Sequence, residues 1–143
     1  MTNPFVGKWT YRSLLNDPNV ATDFDKLEFG RATIEITAPS PNLVSGTIGG
    51  PGWSLALHGG FGLGSPAQIR FQGKGNVGGA PWIYDYVGWL VPVWASSTSM
   101  QQVPAIVGSV TRTIAHPSGN GGTAPAGVVA SFYAVWQAPT PAR

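Results

Sequence analysis

From Ala67 to Lys74 apolar and polar residues alternate, with Ile69 and Phe71 set between Gln68, Arg70, Gln72 and Lys74. A period of two puts successive side chains on opposite faces of an extended chain, so this run predicts a strand with one wet face. Similar short runs, rich in β-branched and aromatic residues, predict strands over 7–14, 27–37, 43–49, 53–59, 67–74, 82–94, 103–114 and 128–137. Clusters of Gly, Pro, Asn, Asp and Ser separate them at 16–19, 39–42, 50–52, 62–66, 75–81, 96–101 and 116–126. Each separator is turn chemistry.

Helix-building sequence is nearly absent. The chain holds two Glu (Glu28, Glu35) and three Lys (Lys8, Lys26, Lys74), and no stretch keeps a 3.6-residue apolar period. Eight strands joined by short connections pair with their sequence neighbours, which gives an all-β domain over residues 1–143. An eight-stranded antiparallel up-and-down β-barrel is the expected form, because closure removes the two sheet edges that a weakly charged sequence would leave unguarded.

One hairpin can be given a register. If 82–94 pairs with 103–114 so that partner numbers sum to 196, Pro92 stands opposite Pro104 and Gly88 opposite Gly108. The prolines then fall where pairing gives way to a bend, a place that tolerates a missing N–H. The glycine pair leaves a patch free of side chains, suited to close approach of another backbone or to a ligand. In this register Tyr84, Tyr86, Leu90 and Arg112 share one face, and Asp85, Val87, Trp89, Val91 and Thr111 the other. Both faces are mostly apolar, which points to burial inside the barrel and against a neighbouring molecule.

Charge narrows the partners. Only 10% of residues are charged and 43% are hydrophobic, so part of the outer surface is expected to be apolar and covered in a homo-oligomer. The net charge of +2 comes from eight Lys and Arg, no two of them adjacent, which argues against nucleic acid. No apolar run approaches the ~20 residues of a membrane helix, and the first residues show no signal peptide; a soluble, cytoplasmic protein with no membrane partner is the expectation.

Candidate chemistry is sparse. With no Cys and only two His (His58 and His116), no metal site and no cofactor are expected. Ser54 and His58 share a strand face but lie too far apart along an extended chain to touch, and no Gly-x-Ser-x-Gly motif is present, so a triad hydrolase is not expected. The glycine-rich stretches do not open helices and read as hairpin turns, not phosphate loops. His116, before Pro117 in a Gly/Ser/Asn segment, reads as a solvated loop residue. Glu28, Arg31 and Glu35 read as an exposed strand, with Arg31 and Glu35 on one face as a diagonal ion pair.

Asp85 is different, since it sits in the most apolar stretch of the chain and a desolvated carboxylate needs a partner. Arg70 or Arg112 can supply one from a neighbouring strand. Facing the lumen, Asp85 would instead anchor a ligand or accept a proton. The six Trp, four Tyr and six Phe offer more amphipathic ring surface than packing alone requires, and such rings suit an apolar pocket with a few polar handles.

The segment Phe5-Val6-Gly7-Lys8-Trp9 resembles the Gly-x-Trp first strand of the calycin-like barrels, the lipocalins and avidins. Trp136 in the last strand and the lack of a C-terminal helix are more similar to the avidin branch. The resemblance implies an eight-stranded barrel whose first-strand tryptophan, here Trp9, closes the base or packs near the ligand. The positions two and six beyond it, where avidins carry Asn and Ser, hold Tyr11 and Leu15, which argues against biotin.

The expected function is binding of a small hydrophobic or aromatic molecule in the barrel cavity, with Trp9, Trp53 and Trp89 supplying apolar contact and Tyr11, Tyr84, Arg70 and Arg112 orienting it. The alternatives are a cavity enzyme (cyclase, isomerase or lyase) using one acid or base, Asp85, His58 or a tyrosine, and a structural oligomerisation module.

Overall fold

The structure, a computed structural model, describes residues 2–93 and 102–139. Its elements in chain order are β1 (Gly7–Leu15), α1 (Phe24–Leu27), β2 (Glu28–Thr37), β3 (Leu43–Gly50), β4 (Trp53–Gly62), β5 (Gln68–Val77), β6 (Ala80–Val91), β7 (Ala105–Arg112), β8 (His116–Pro117), β9 (Thr123–Ala124) and β10 (Val129–Gln137). The eight long strands form a closed antiparallel barrel in the order β1-β10-β7-β6-β5-β4-β3-β2, and β8 and β9 form a separate two-stranded ribbon. Each strand pairs with its neighbour in sequence. The last strand, β10, closes the ring on β1, with Trp9 opposite Trp136.

The hairpin of β6 and β7 has the register read from its prolines and glycines: Tyr84 opposes Arg112, Gly88 opposes Gly108 and Leu90 opposes Ile106. Pro92 and Pro104 stand just beyond the last pair, Val91 with Ala105. The glycine pair serves close approach of backbones. A Cβ on Gly108 would overlap the carbonyl of Val87, and one on Gly88 would press on Ile106 and Phe132. Trp94 and the turn expected over 96–101 lie outside the described residues.

Three local departures from the sequence reading shape the barrel. The segment 75–81 is not a loop; β5 and β6 run through it to a two-residue turn at Gly78-Gly79, both at positive φ (58° and 83°), the left-handed pair that matches strand twist in a tight hairpin. A bulge between β1 and β2 sets Ser13 opposite Gly30 but Leu14 opposite Glu28, leaving Phe29 as the extra residue. The parity of the strand changes there, so Glu28 reaches Arg31 and forms the ion pair that Arg31 and Glu35 were expected to make. Finally, the segment 116–126 carries the β8–β9 ribbon.

Inward positions fill the barrel from one end. Trp9, Phe5, Ile34, Ile36, Ile48, Leu57, Ile69 and Ile106 are fully buried, each contributing about 1.5–3 kcal/mol of apolar transfer. At the end where β1 begins, the indole Nε1–H of Trp9 donates to the Phe5 carbonyl at 2.9 Å, and Phe5 packs edge-on against Phe61. That end is closed by side chains. The interior is left incompletely filled toward the opposite end, where β1 finishes and β2 starts.

Candidate functional site

The unfilled part of the lumen is a cavity of about 210 Å³, walled by Tyr11, Ser13, Phe29, Trp53, Leu55, Trp82, Tyr84, Tyr86 and Val110. Strand parity explains the set. Tyr11 and Ser13 follow Trp9 on the inner face of β1, Trp82, Tyr84 and Tyr86 alternate along β6, and Trp53 and Leu55 start β4. The bulge turns Phe29 inward beside them, edge-on to Tyr84 at 6.1 Å between ring centres.

At the mouth a polar chain spans three elements. Arg112 Nε–H donates to the Tyr84 hydroxyl at 2.9 Å, and the same hydroxyl lies 2.7 Å from His116 Nε2. His116 Nδ1 faces the Pro117 carbonyl at 2.8 Å, and a carbonyl can only accept. Nδ1 therefore carries a proton, and in the neutral tautomer Tyr84 donates to Nε2. The His116 ring also stacks on Trp82, 3.9 Å between centres and 13° from parallel. His116 is thus only 6% exposed, a correction to its reading as a solvated loop residue. Trp82 gives the imidazole an apolar face, and Tyr84 and Pro117 satisfy both its nitrogens.

Arg112 is held in place on several sides. Its guanidinium lies 4.9 Å from the centre of the Phe29 ring, and Nη1 donates to Pro125 O. Backbone bonds from Thr113 N to Ile83 O and from Gly127 N to Arg112 O pin both ends of the ribbon segment to the barrel rim.

Deeper in, the surroundings are dry. Burial pushes the Tyr11 phenol well above its ordinary range, an effect offset in part by the adjacent Ser13 hydroxyl and added to by the electrostatics of Tyr84. Tyr86 is pushed up in the same way, chiefly by burial. The Ser13 Oγ, fully buried, makes no bond of proper hydrogen-bond geometry despite its closeness to Tyr11.

The residues expected to form a ligand site fall into two sets. Tyr11, Trp53 and Tyr84 line the cavity, and Arg112 holds Tyr84 at its mouth. Trp9 is sealed in the closed end, away from the cavity. Trp89, Arg70, Asp85 and His58 stand on the outer wall, because each is one residue out of step with the inward positions of its strand. Asp85 therefore faces solvent and not the lumen. Its carboxylate accepts from Gln72 Nε2 at 3.0 Å and Thr113 Oγ1 at 2.5 Å, not from Arg70 or Arg112.

His58, Arg70 and Asp85 do meet, with Ser109 and Thr111, around an open hollow on the outside of the barrel. The register sets His58 opposite Gln72 and Gln72 opposite Asp85, so their backbones are two strand spacings apart, about 9.6 Å, with Gln72 between them. No acid–base dyad forms at that separation.

Trp82, Tyr86, Ser13, Phe29 and His116 complete the site and were not singled out from sequence as binding residues. Trp82 and Tyr86 share the parity of Tyr84, which was signal enough to find them. Among the described residues there is no group of three or more His, Asp or Glu placed to hold a metal ion, and no helix long and apolar enough to cross a membrane. Comparison with protein-family models, with curated proteins and with solved structures finds no significant match.

Proposed function

We propose that this barrel binds a small hydrophobic or aromatic molecule in its luminal cavity. The observation that carries the reading is the wall of Trp53, Trp82, Tyr84, Tyr86 and Phe29 around unfilled space at one end of an otherwise packed barrel. Concave apolar walls with few polar groups are the general form of a small-molecule site. A cavity of 150 Å³ accommodates benzene, so 210 Å³ suits one or two fused rings, about ten non-hydrogen atoms. At about 0.7 kcal/mol per atom, the dissociation constant falls near 10 μM.

Titration calorimetry of the full chain against a panel of one- and two-ring aromatics, with tryptophan fluorescence in parallel, tests the reading. Saturable heat with quenching of Trp53 and Trp82 is expected, weakened by Trp82→Ala. A flat response across the panel removes it.

A second reading is favoured by the Tyr84 hydroxyl, set between a guanidinium and an imidazole at the cavity mouth. Such a group can hold or move a proton for a cyclase, isomerase or lyase acting by confinement. Retained binding with lost turnover in Tyr84→Phe would support it.

Self-association is supported by the outer row Trp89, Val107 and Tyr133, registered side by side on β6, β7 and β10. Each of the three keeps about 40% of its surface exposed. Sedimentation above the monomer mass, reduced by Trp89→Lys, is the expected result.

A further inference from the structure

We infer that the cavity selects an uncharged aromatic molecule bearing a hydroxyl, a phenol or naphthol, with its oxygen at Ser13 and its rings among Trp53, Trp82 and Tyr84. This deepens the proposed binding function and rests on it. The starting point is Ser13 Oγ, fully buried on the cavity wall and without a hydrogen-bond partner. A buried hydroxyl in that state is destabilising, and native structures leave few of them unmatched.

The residue opposite Ser13 on β2 is Gly30, itself part of the wall. A Cβ there would sit 3.4 Å from Ser13 Oγ. Glycine thus puts no side chain against Ser13 Oγ on that side. On β10 the opposing residue is Phe132, which has no polar atom on its side chain to offer. The Tyr11 hydroxyl lies beside Ser13, so an arriving oxygen meets two hydroxyl groups.

Charge at this point is disfavoured. Among the described residues the wall contains no carboxylate, and the one cationic residue along it, Arg31, is paired with Glu28 and largely exposed. The Arg112 guanidinium is engaged by Tyr84, Pro125 and the Phe29 ring at the mouth. Burial strongly disfavours ionisation of both Tyr11 and Tyr86, and a ligand anion beside them would meet the same dry surroundings. The oxygen is therefore a neutral hydroxyl, which can both donate to and accept from Ser13.

The test is calorimetric titration of the full chain with 2-naphthol, naphthalene and 2-naphthoate, in the native protein and in Ser13→Ala and Gly30→Ala. Ser13→Ala removes an unmatched polar atom and is expected to fold, with near-ultraviolet circular dichroism as the check. Gly30→Ala covers the hydroxyl without changing it. In the native protein, 2-naphthol is expected to bind about tenfold more tightly than naphthalene and at least about tenfold more tightly than 2-naphthoate. Both variants should erase the preference for naphthol over naphthalene.

Equal affinity for naphthol and naphthalene in the native protein, as expected if water satisfies Ser13 instead, overturns the inference and leaves the cavity reading standing. So does a preference that survives both substitutions, or naphthoate binding as tightly as naphthol. If none of the three binds, the cavity reading itself fails and this inference with it.

Discussion

The Tyr84 hydroxyl and His116 Nε2 stand 2.7 Å apart, joining a strand of the barrel to the ribbon that folds over its mouth. Their sequence separation is 32 residues, so the bond holds together parts of the chain that local preference would not. Stacking of His116 on Trp82 adds an apolar contact to the same joint.

Tyr84→Phe keeps the ring but leaves both Arg112 Nε–H and His116 Nε2 without their partner. A loss of about 2 kcal/mol is expected in urea unfolding. Amide exchange at Thr123 and Ala124 should accelerate more than exchange in β3, on the far side of the barrel. Unchanged exchange in the ribbon would show that the backbone bonds alone retain it.

Gly108→Ala tests the close approach between β6 and β7. The added methyl would overlap the Val87 carbonyl, and no side-chain rotation can relieve a clash with backbone. We expect destabilisation of about 3 kcal/mol or more. Gly62→Ala, where a Cβ meets nothing within 4 Å, should be neutral or slightly stabilising, and equal melting temperatures for the two variants would contradict the packing described.

Two tryptophans should differ sharply. Trp9→Ala empties the closed end of the barrel and removes the bond to Phe5 O, at a cost of about 3–5 kcal/mol. Trp89→Ala trims an outer side chain that is 40% exposed and should cost about 1 kcal/mol or less in dilute solution. Chemical denaturation at low protein concentration separates the cases, and comparable losses would argue against the inward position of Trp9.

Alkaline stability follows from Tyr11 and Tyr86, whose ionisation is pushed above the ordinary tyrosine value by burial. Below about pH 10 both folded and unfolded chains keep these phenols neutral, and their contribution is fully present. Above it the unfolded chain releases protons that the folded barrel retains, so stability falls as pH rises further. Phenolate absorbance for these two residues should therefore appear together with loss of near-ultraviolet circular dichroism. Ionisation of both near pH 10 in the intact fold would show the lumen to be wet.

The hairpin of β6 and β7 marks how far the sequence could be read. The Gly88/Gly108 and Tyr84/Arg112 pairs and the division of β6 into two faces were all legible, because spacing alone determines them. Which face looks inward was not, since Val87, Trp89 and Val91 outside are as apolar as Tyr84, Tyr86 and Leu90 inside. Placing Tyr84 and Trp89 in one ligand set ignored parity, which forbids an odd-numbered separation on a single strand face.

Asp85 was misleading for a related reason. Its neighbours in sequence are apolar, but its neighbours in space are Gln72 and Thr113, brought there by strand pairing. The burial of His116 had no local signature at all. A two-residue strand in a segment rich in Gly and Ser shows no period, and the ring becomes buried only when Trp82 is beneath it. Phe29 was hidden similarly, by a one-residue bulge that reverses the facing of its strand.

Closure of the ring by β1 and β10 has a practical outcome. Lys8 pairs with Gln137, so the start of β1 and the end of β10 lie side by side at the plugged base, opposite the aromatic mouth. A tag, fluorophore or surface tether joined just before β1 or just after β10 would start from the base, away from the opening. An immobilised preparation should then display the barrel mouth to solution in a uniform orientation.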